Sequence, residues 1–91
     1  MRIQVEFYGI SRQQAGTANA IVELDSDPAR LGEVISNLGA RFPGLAAICL
    51  ESGRLRADFL ANLGGERFVS DPETPVRDSD ALLILSADAG G

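Results

Sequence analysis

The run Ala81-Leu82-Leu83-Ile84-Leu85 is apolar on both of its faces. An extended chain points successive side chains to opposite sides of a sheet, so a strand of this kind must be covered from both sides. It belongs in the middle of a sheet, and the rest of the chain has to supply the neighbours and the cover. Arg2–Tyr8 is one such neighbour: Ile3, Val5 and Phe7 alternate with Arg2, Gln4, Glu6 and Tyr8, the pattern of a half-buried strand. Ala20–Asp25 alternates in the same way. Phe59–Leu63 and Glu66–Val69 read as a hairpin about Gly64-Gly65, a pair suited to a tight turn.

The cover is a helix. Leu31, Val34, Ile35, Leu38 and Phe42 follow helical spacing and form one apolar stripe. Asp27 suits the cap and Pro28 the first helical position, and Pro43-Gly44 is expected to end the helix. Leu45–Leu50 reads as a short helical turn. Gly9–Asn19, Ser52-Gly53, Asp71–Pro75 and Asp78-Ser79-Asp80 read as loops and turns. The order is β-β-α-β-β-β, which predicts a two-layer α+β domain: a sheet of four or five strands with one main helix on one face. Strand parity puts Leu82 and Ile84 on one face and Leu83 and Leu85 on the other; if Leu82 and Ile84 meet the helix, Leu83 and Leu85 lie on the open face, with Tyr8 and Phe68 near them. Contiguous exposed apolar surface marks an interface.

Ninety-one residues make one domain, with no room for a separate catalytic domain. There are 13 acidic residues against eight basic ones, all arginine, for a net charge of −5. That excludes nucleic acid and anionic membrane as main partners and favours a partner with a basic docking surface. There is no histidine, which removes the commonest general base and zinc ligand. Cys49 is the one cysteine and sits in an apolar run, as a small buried hydrophobe would. Asp78 and Asp80 read as a solvated turn, with no metal site, and Arg54 and Arg56 as solvated surface. No apolar run is long enough to span a bilayer, and the N-terminus has no signal peptide, so the chain is expected in the cytoplasm.

The sequence ends Gly90-Gly91. One reading is a frayed end. The chemical reading is that a chain terminus is the only backbone carboxylate open to activation, and two residues without Cβ can thread a narrow channel. Ala87, Asp88 and Ala89 keep the preceding segment thin.

Several segments resemble a known family. Val5–Gly9 with Arg12–Thr17 is similar to the first strand and loop of the small subunit of molybdopterin synthase. Arg41–Leu55 resembles the stretch after the helix in the wider MoaD/ThiS family of sulfur carriers. Asp71–Gly91 resembles that family's closing segment: acidic turn, apolar strand, tail ending Gly-Gly. The resemblance implies a β-grasp, ubiquitin-like fold over residues 1–86 and a flexible tail over 87–91. It implies that an E1-like enzyme adenylates the Gly91 carboxylate with ATP, and that the acyl-adenylate becomes a thiocarboxylate. The sulfur would then serve cofactor biosynthesis, first of all in a molybdopterin synthase whose larger subunit receives the tail. Tyr8, Phe68, Leu83, Leu85, Ala87, Asp88 and Ala89 are the expected partner-binding residues, with Gly90 and Gly91 as the reacting end. The chain would be a co-substrate of partner enzymes, not an enzyme, and would bind no cofactor itself. Carriers for thiamine, cysteine or tRNA thiolation, a ubiquitin-like protein modifier, and a β-grasp interaction domain with an inert tail are the other readings.

Overall fold

Strand β1 (Arg2–Phe7) realises the alternation of its sequence, burying Ile3, Val5 and Phe7. The computed structural model describes residues 1–51 and 54–86. Helix α1 (Ile10–Ala15) follows where a loop was expected, and Gly16 closes it in the left-handed region at φ 77°. Six residues are too few to display a helical period and too few to hold a helix alone. Tertiary contact with β1 and the later elements holds it instead. Strand β2 (Asn19–Glu23) then returns antiparallel to β1 with Ala20 and Val22 facing inward.

The main helix starts later than Asp27-Pro28. Strand β3 (Ala29–Arg30) intervenes, and α2 runs Leu31–Arg41. The reason lies in the first N–H groups, which need acceptors. Leu31 donates to the Thr74 carbonyl and Gly32 to the Pro72 carbonyl, both at 2.9 Å. Glu33 reaches back to accept from the Arg30 N–H at 3.0 Å, one half of a capping box. The Asp27 carboxylate accepts instead from the Asp78 N–H at 3.3 Å. The expected stripe is in place: Leu31, Val34, Ile35 and Leu38 are buried, and Phe42 meets Phe7 edge-on at 5.6 Å.

Pro43-Gly44 does end α2, but the chain re-enters a helix at once. Helix α3 spans Pro43–Cys49, with Pro43 in its first turn, where a missing N–H costs nothing. Gly44 lies where α3 crosses α1: a Cβ there would stand 2.7 Å from the Gln14 carbonyl oxygen. Gly44→Ala is therefore expected to destabilise the domain by about 1–3 kcal/mol. An unchanged urea midpoint would show that the helices can part without cost.

The remaining elements are short. β4 (Leu50–Glu51) pairs with β5 (Arg54–Leu55), and the turn expected at Ser52-Gly53 lies outside the described residues. β6 (Phe59–Leu63) and β7 (Arg67–Val69) form the expected hairpin, with Gly64 and Gly65 both at positive φ. β8 (Pro75–Val76) pairs with β3, and β9 spans Ala81–Ser86.

The main sheet has the order β2-β1-β9-β6-β7. β1 and β9 are parallel, and the other pairs are antiparallel. β9 therefore occupies the middle, as its two apolar faces require. Leu82 and Ile84 are fully buried in the core with Val5, Phe7, Val34 and Leu38. A mixed five-stranded sheet wrapped around one main helix is the β-grasp arrangement. The two smaller helices extend the cover beyond the single helix that the sequence predicts.

Candidate functional site

The parallel pairing of β1 and β9 decides where the C-terminal segment leaves the domain. Both strands point the same way, so β9 ends beside the end of β1, while Phe59 at the start of β6 lies opposite Ser86. Four contacts fix this corner. The Tyr8 N–H donates to the Ile84 carbonyl at 2.9 Å. The fully buried Ser11 hydroxyl lies 2.7 Å from the Tyr8 carbonyl oxygen and 2.9 Å from that of Ile84. It also accepts from the Tyr8 N–H at 3.2 Å. Ser11 is thus the peg that holds α1 against the exit of β9. Nothing in its sequence context marks it, because the helix around it carries no period. Ser11→Ala is expected to cost about 1–2 kcal/mol, the value of one buried hydrogen-bonded hydroxyl. Thermal unfolding checks this, and an unchanged midpoint would remove the peg.

At the other end, the acidic turn sets the entry of β9. The Asp78 carboxylate accepts from the Arg2 N–H and the Asp80 carboxylate from the Arg77 N–H, each at 2.8 Å. These carboxylates brace the turn before the strand. Among the described residues, no group of three or more His, Cys, Asp or Glu could hold a metal ion.

The open face of the sheet divides into two halves. The β1–β2 half is mostly polar, with Arg2 and Glu23 paired at 3.4 Å, although Ile21 is also exposed there. The half built on β9, β6 and β7 is apolar. Leu83 stands between Glu6 and Asn62, Asn62 lies opposite Phe68, and Leu85 lies opposite Leu60. Leu83, Leu85 and Leu60 are half-buried, whereas Phe68 is 63% exposed and Tyr8 42% exposed. The Tyr8 hydroxyl donates to Glu6 Oε2 at 2.6 Å, which places its ring on this same face. That bond and the Glu6 charge raise the Tyr8 hydroxyl above the ordinary phenol range.

The structure thus brings Tyr8, Leu83, Leu85 and Phe68 to one side of the sheet. Leu60 and Asn62 join them; the strand pattern of Phe59–Leu63 gives their parity, but only the register with β9 shows which residues they meet. Ala87, Asp88, Ala89, Gly90 and Gly91 lie outside the described residues. Cys49 is fully buried, and burial, with Asp58 nearby, pushes its thiol up to about 11. At neutral pH it is a packing group. Among the described residues, no helix is long and apolar enough to cross a membrane.

No model of a known protein family matches the sequence. The chain is 27% identical over 93 aligned positions, covering all of both chains, to small archaeal modifier protein 3 of Haloferax volcanii. Among solved structures, small archaeal modifier protein 1 of Haloferax volcanii superposes with a TM-score of 0.82, at 20% identity, over 100% of both chains. A protein designated molybdopterin converting factor subunit 1, from Pyrococcus furiosus, gives 0.78 at 22% identity, over 94% of this chain and 97% of that one. At those identities the two structures show the fold. A chain in the crystal structure of the Amycolatopsis orientalis BexX/CysO complex is 26% identical, with a TM-score of 0.72, over 98% of this chain and 99% of that one. With this fold, this sheet order and similarity along the whole length, the chain is a β-grasp protein similar to ubiquitin-like proteins of the MoaD/ThiS kind.

Proposed function

We propose that the chain is a sulfur carrier whose working group is the Gly91 carboxylate. Residues 1–86 act as the body and 87–91 as the arm. The observation that carries this reading is the placement of β9. The sheet's central strand ends at Ser86 beside an apolar face, and Gly91 is the fifth residue beyond that point in the sequence. A partner seated on the face would have the chain end within its reach, because five extended residues span up to about 17 Å.

An oxygen of the carboxylate attacks the α-phosphate of ATP on an E1-like enzyme, and pyrophosphate leaves. Hydrosulfide then adds to the acyl carbon and expels AMP, and loss of its proton leaves a thiocarboxylate with one oxygen and one sulfur. The chain contributes no acid or base to either step, in keeping with a sequence that lacks histidine. Reaction with ATP places the carrier in the cytoplasm. The accepting enzyme in this proposal is the larger subunit of a molybdopterin synthase, which covers Leu83, Leu85, Tyr8 and Phe68 and receives residues 87–91. The likeness to a molybdopterin converting factor subunit supports that choice, and the similar chain crystallised in a BexX/CysO complex supports a protein partner. The test is the intact mass after incubation with ATP, an E1-like enzyme and a sulfur source. The expected gain equals the exchange of one oxygen for one sulfur; an unchanged mass across a panel of such enzymes counts against the carrier.

A second reading has its own support: the full-length relative is named a modifier protein. In that reading the activated Gly91 acylates lysines of target proteins. Recovery from cells of target peptides whose lysine carries residues 78–91, the remnant that trypsin leaves by cutting after Arg77, would establish it.

A further inference from the structure

A cavity of about 490 Å³ opens between α2, β5, β6 and the end of β7. Leu31, Ile35, Phe59 and Ala61 form its floor and belong to the buried core, so the apolar surface it opens to solvent comes from Leu55, Leu60 and Phe68. A cavity of this size with apolar walls and a few polar groups at its rim has the dimensions of a binding site. It is not isolated: Leu60 and Phe68 line it and also belong to the open face beside Leu83 and Leu85. The cavity therefore continues the apolar half of that face around the end of β7.

Its rim reverses the character of the molecule. The chain carries a net charge of −5, yet Arg54 and Arg56 both stand at the rim. Arg56 is exposed, as expected, but committed, donating to the Leu50 and Ala47 carbonyls at 3.2 and 3.4 Å. Arg54 makes no ion pair or hydrogen bond through its guanidinium among the described residues. Glu51 faces it across the β4–β5 ladder and keeps the rim from being strongly cationic. A single carboxylate suits such a rim better than a multiply charged phosphate.

We propose that this cavity is an anchor pocket for a partner protein, taking a bulky apolar side chain whose neighbouring residue presents a carboxylate to Arg54. The proposal rests on the docking face of the carrier reading, of which the pocket is the anchoring end. Buried aromatic anchors in pockets dominate the energetics of such interfaces. The continuity through Leu60 and Phe68 favours a protein segment over a free metabolite.

The test uses the full-length, ¹⁵N-labelled chain alone, so its result is independent of whether the mass gain is observed. The probe is N-acetyl-tryptophanyl-glutamate amide, with glutamine, alanyl and lysyl counterparts. Saturable amide shifts are expected at Leu55, Phe59, Ala61 and Val69 with the first probe. The glutamine counterpart should bind about five-fold more weakly, the worth of one exposed charge pair. The counterpart with alanine in place of tryptophan should not bind. Arg54→Glu, a surface change, should reverse the preference toward the lysyl counterpart. Ala61→Leu should fill the interior and abolish binding of all probes, with circular dichroism confirming the fold. Overturning results are shifts confined to Leu83 and Leu85, no saturable shift at all, or a preference unmoved by Arg54→Glu. Tighter binding of indole-3-acetate than of the dipeptide would also overturn it, reassigning the cavity to a small molecule.

Discussion

Deleting Gly90 and Gly91 is expected to abolish sulfur loading completely while leaving the stability of the domain unchanged within about 0.5 kcal/mol. The two halves of this expectation have separate causes. The chemistry needs a carboxylate that can thread an enzyme channel, and Ala89 as the new terminus would sit two residues short with a Cβ in the way. Stability resides in the described body, whose last strand is already complete at Ser86. Intact mass and a urea titration on the same two proteins read both. A loaded deletion variant would dismiss Gly91 as the working group. A midpoint shift worth more than about 1 kcal/mol would mean that the terminal residues pack on the body.

Neighbouring residues of β9 should fail in opposite ways. Ile84 is fully buried at the centre of the sheet, so Ile84→Ala is expected to cost about 2–5 kcal/mol. That is a large share of the roughly 5–15 kcal/mol that holds a domain together. Leu83 faces the open side and is half-buried. Leu83→Asp should leave a folded protein and weaken its affinity for the proposed partner subunit by about thirty-fold or more, the effect of losing a central apolar contact of an interface. Chemical denaturation and isothermal titration calorimetry separate the two. Equal affinity for wild type and Leu83→Asp would move the docking surface elsewhere. Equal stability for Ile84→Ala would contradict the place of β9 in the core.

What the sequence discloses follows from how local the determining physics is. The two-faced apolarity of Ala81–Leu85, the alternation of β1 and the stripe on α2 depend on burial, which writes a period into the chain, and the structure keeps all three. Gly64-Gly65 is legible because positive φ selects its residue. The start of α2 is not legible. Its first donors are satisfied by Pro72 and Thr74, some forty residues on in the sequence, and Asp27 is drawn off to Asp78. Helix α1 is hidden for the same reason, since Ser11 finds its partner at Ile84. The candidate face is legible as parity on β9 but not as a neighbourhood. Leu60 and Asn62 join it only through register, and the cavity beyond Phe68 arises from how β5 and α2 meet.

The sheet's topology also orders events during synthesis. Among the described residues the first strand made is β1, and its partner on the inner side is β9, the last. Until β9 emerges from the ribosome, β1–β2 and β6–β7 are two hairpins with no strand to join them, and half the core has no floor. Closure over so long a sequence separation is a late step. A nascent chain halted before Ser86 therefore cannot complete this domain and stays open to proteolysis. Every folded copy in the cell has been translated through its central strand, so the fold itself serves as a check that synthesis has passed Ser86.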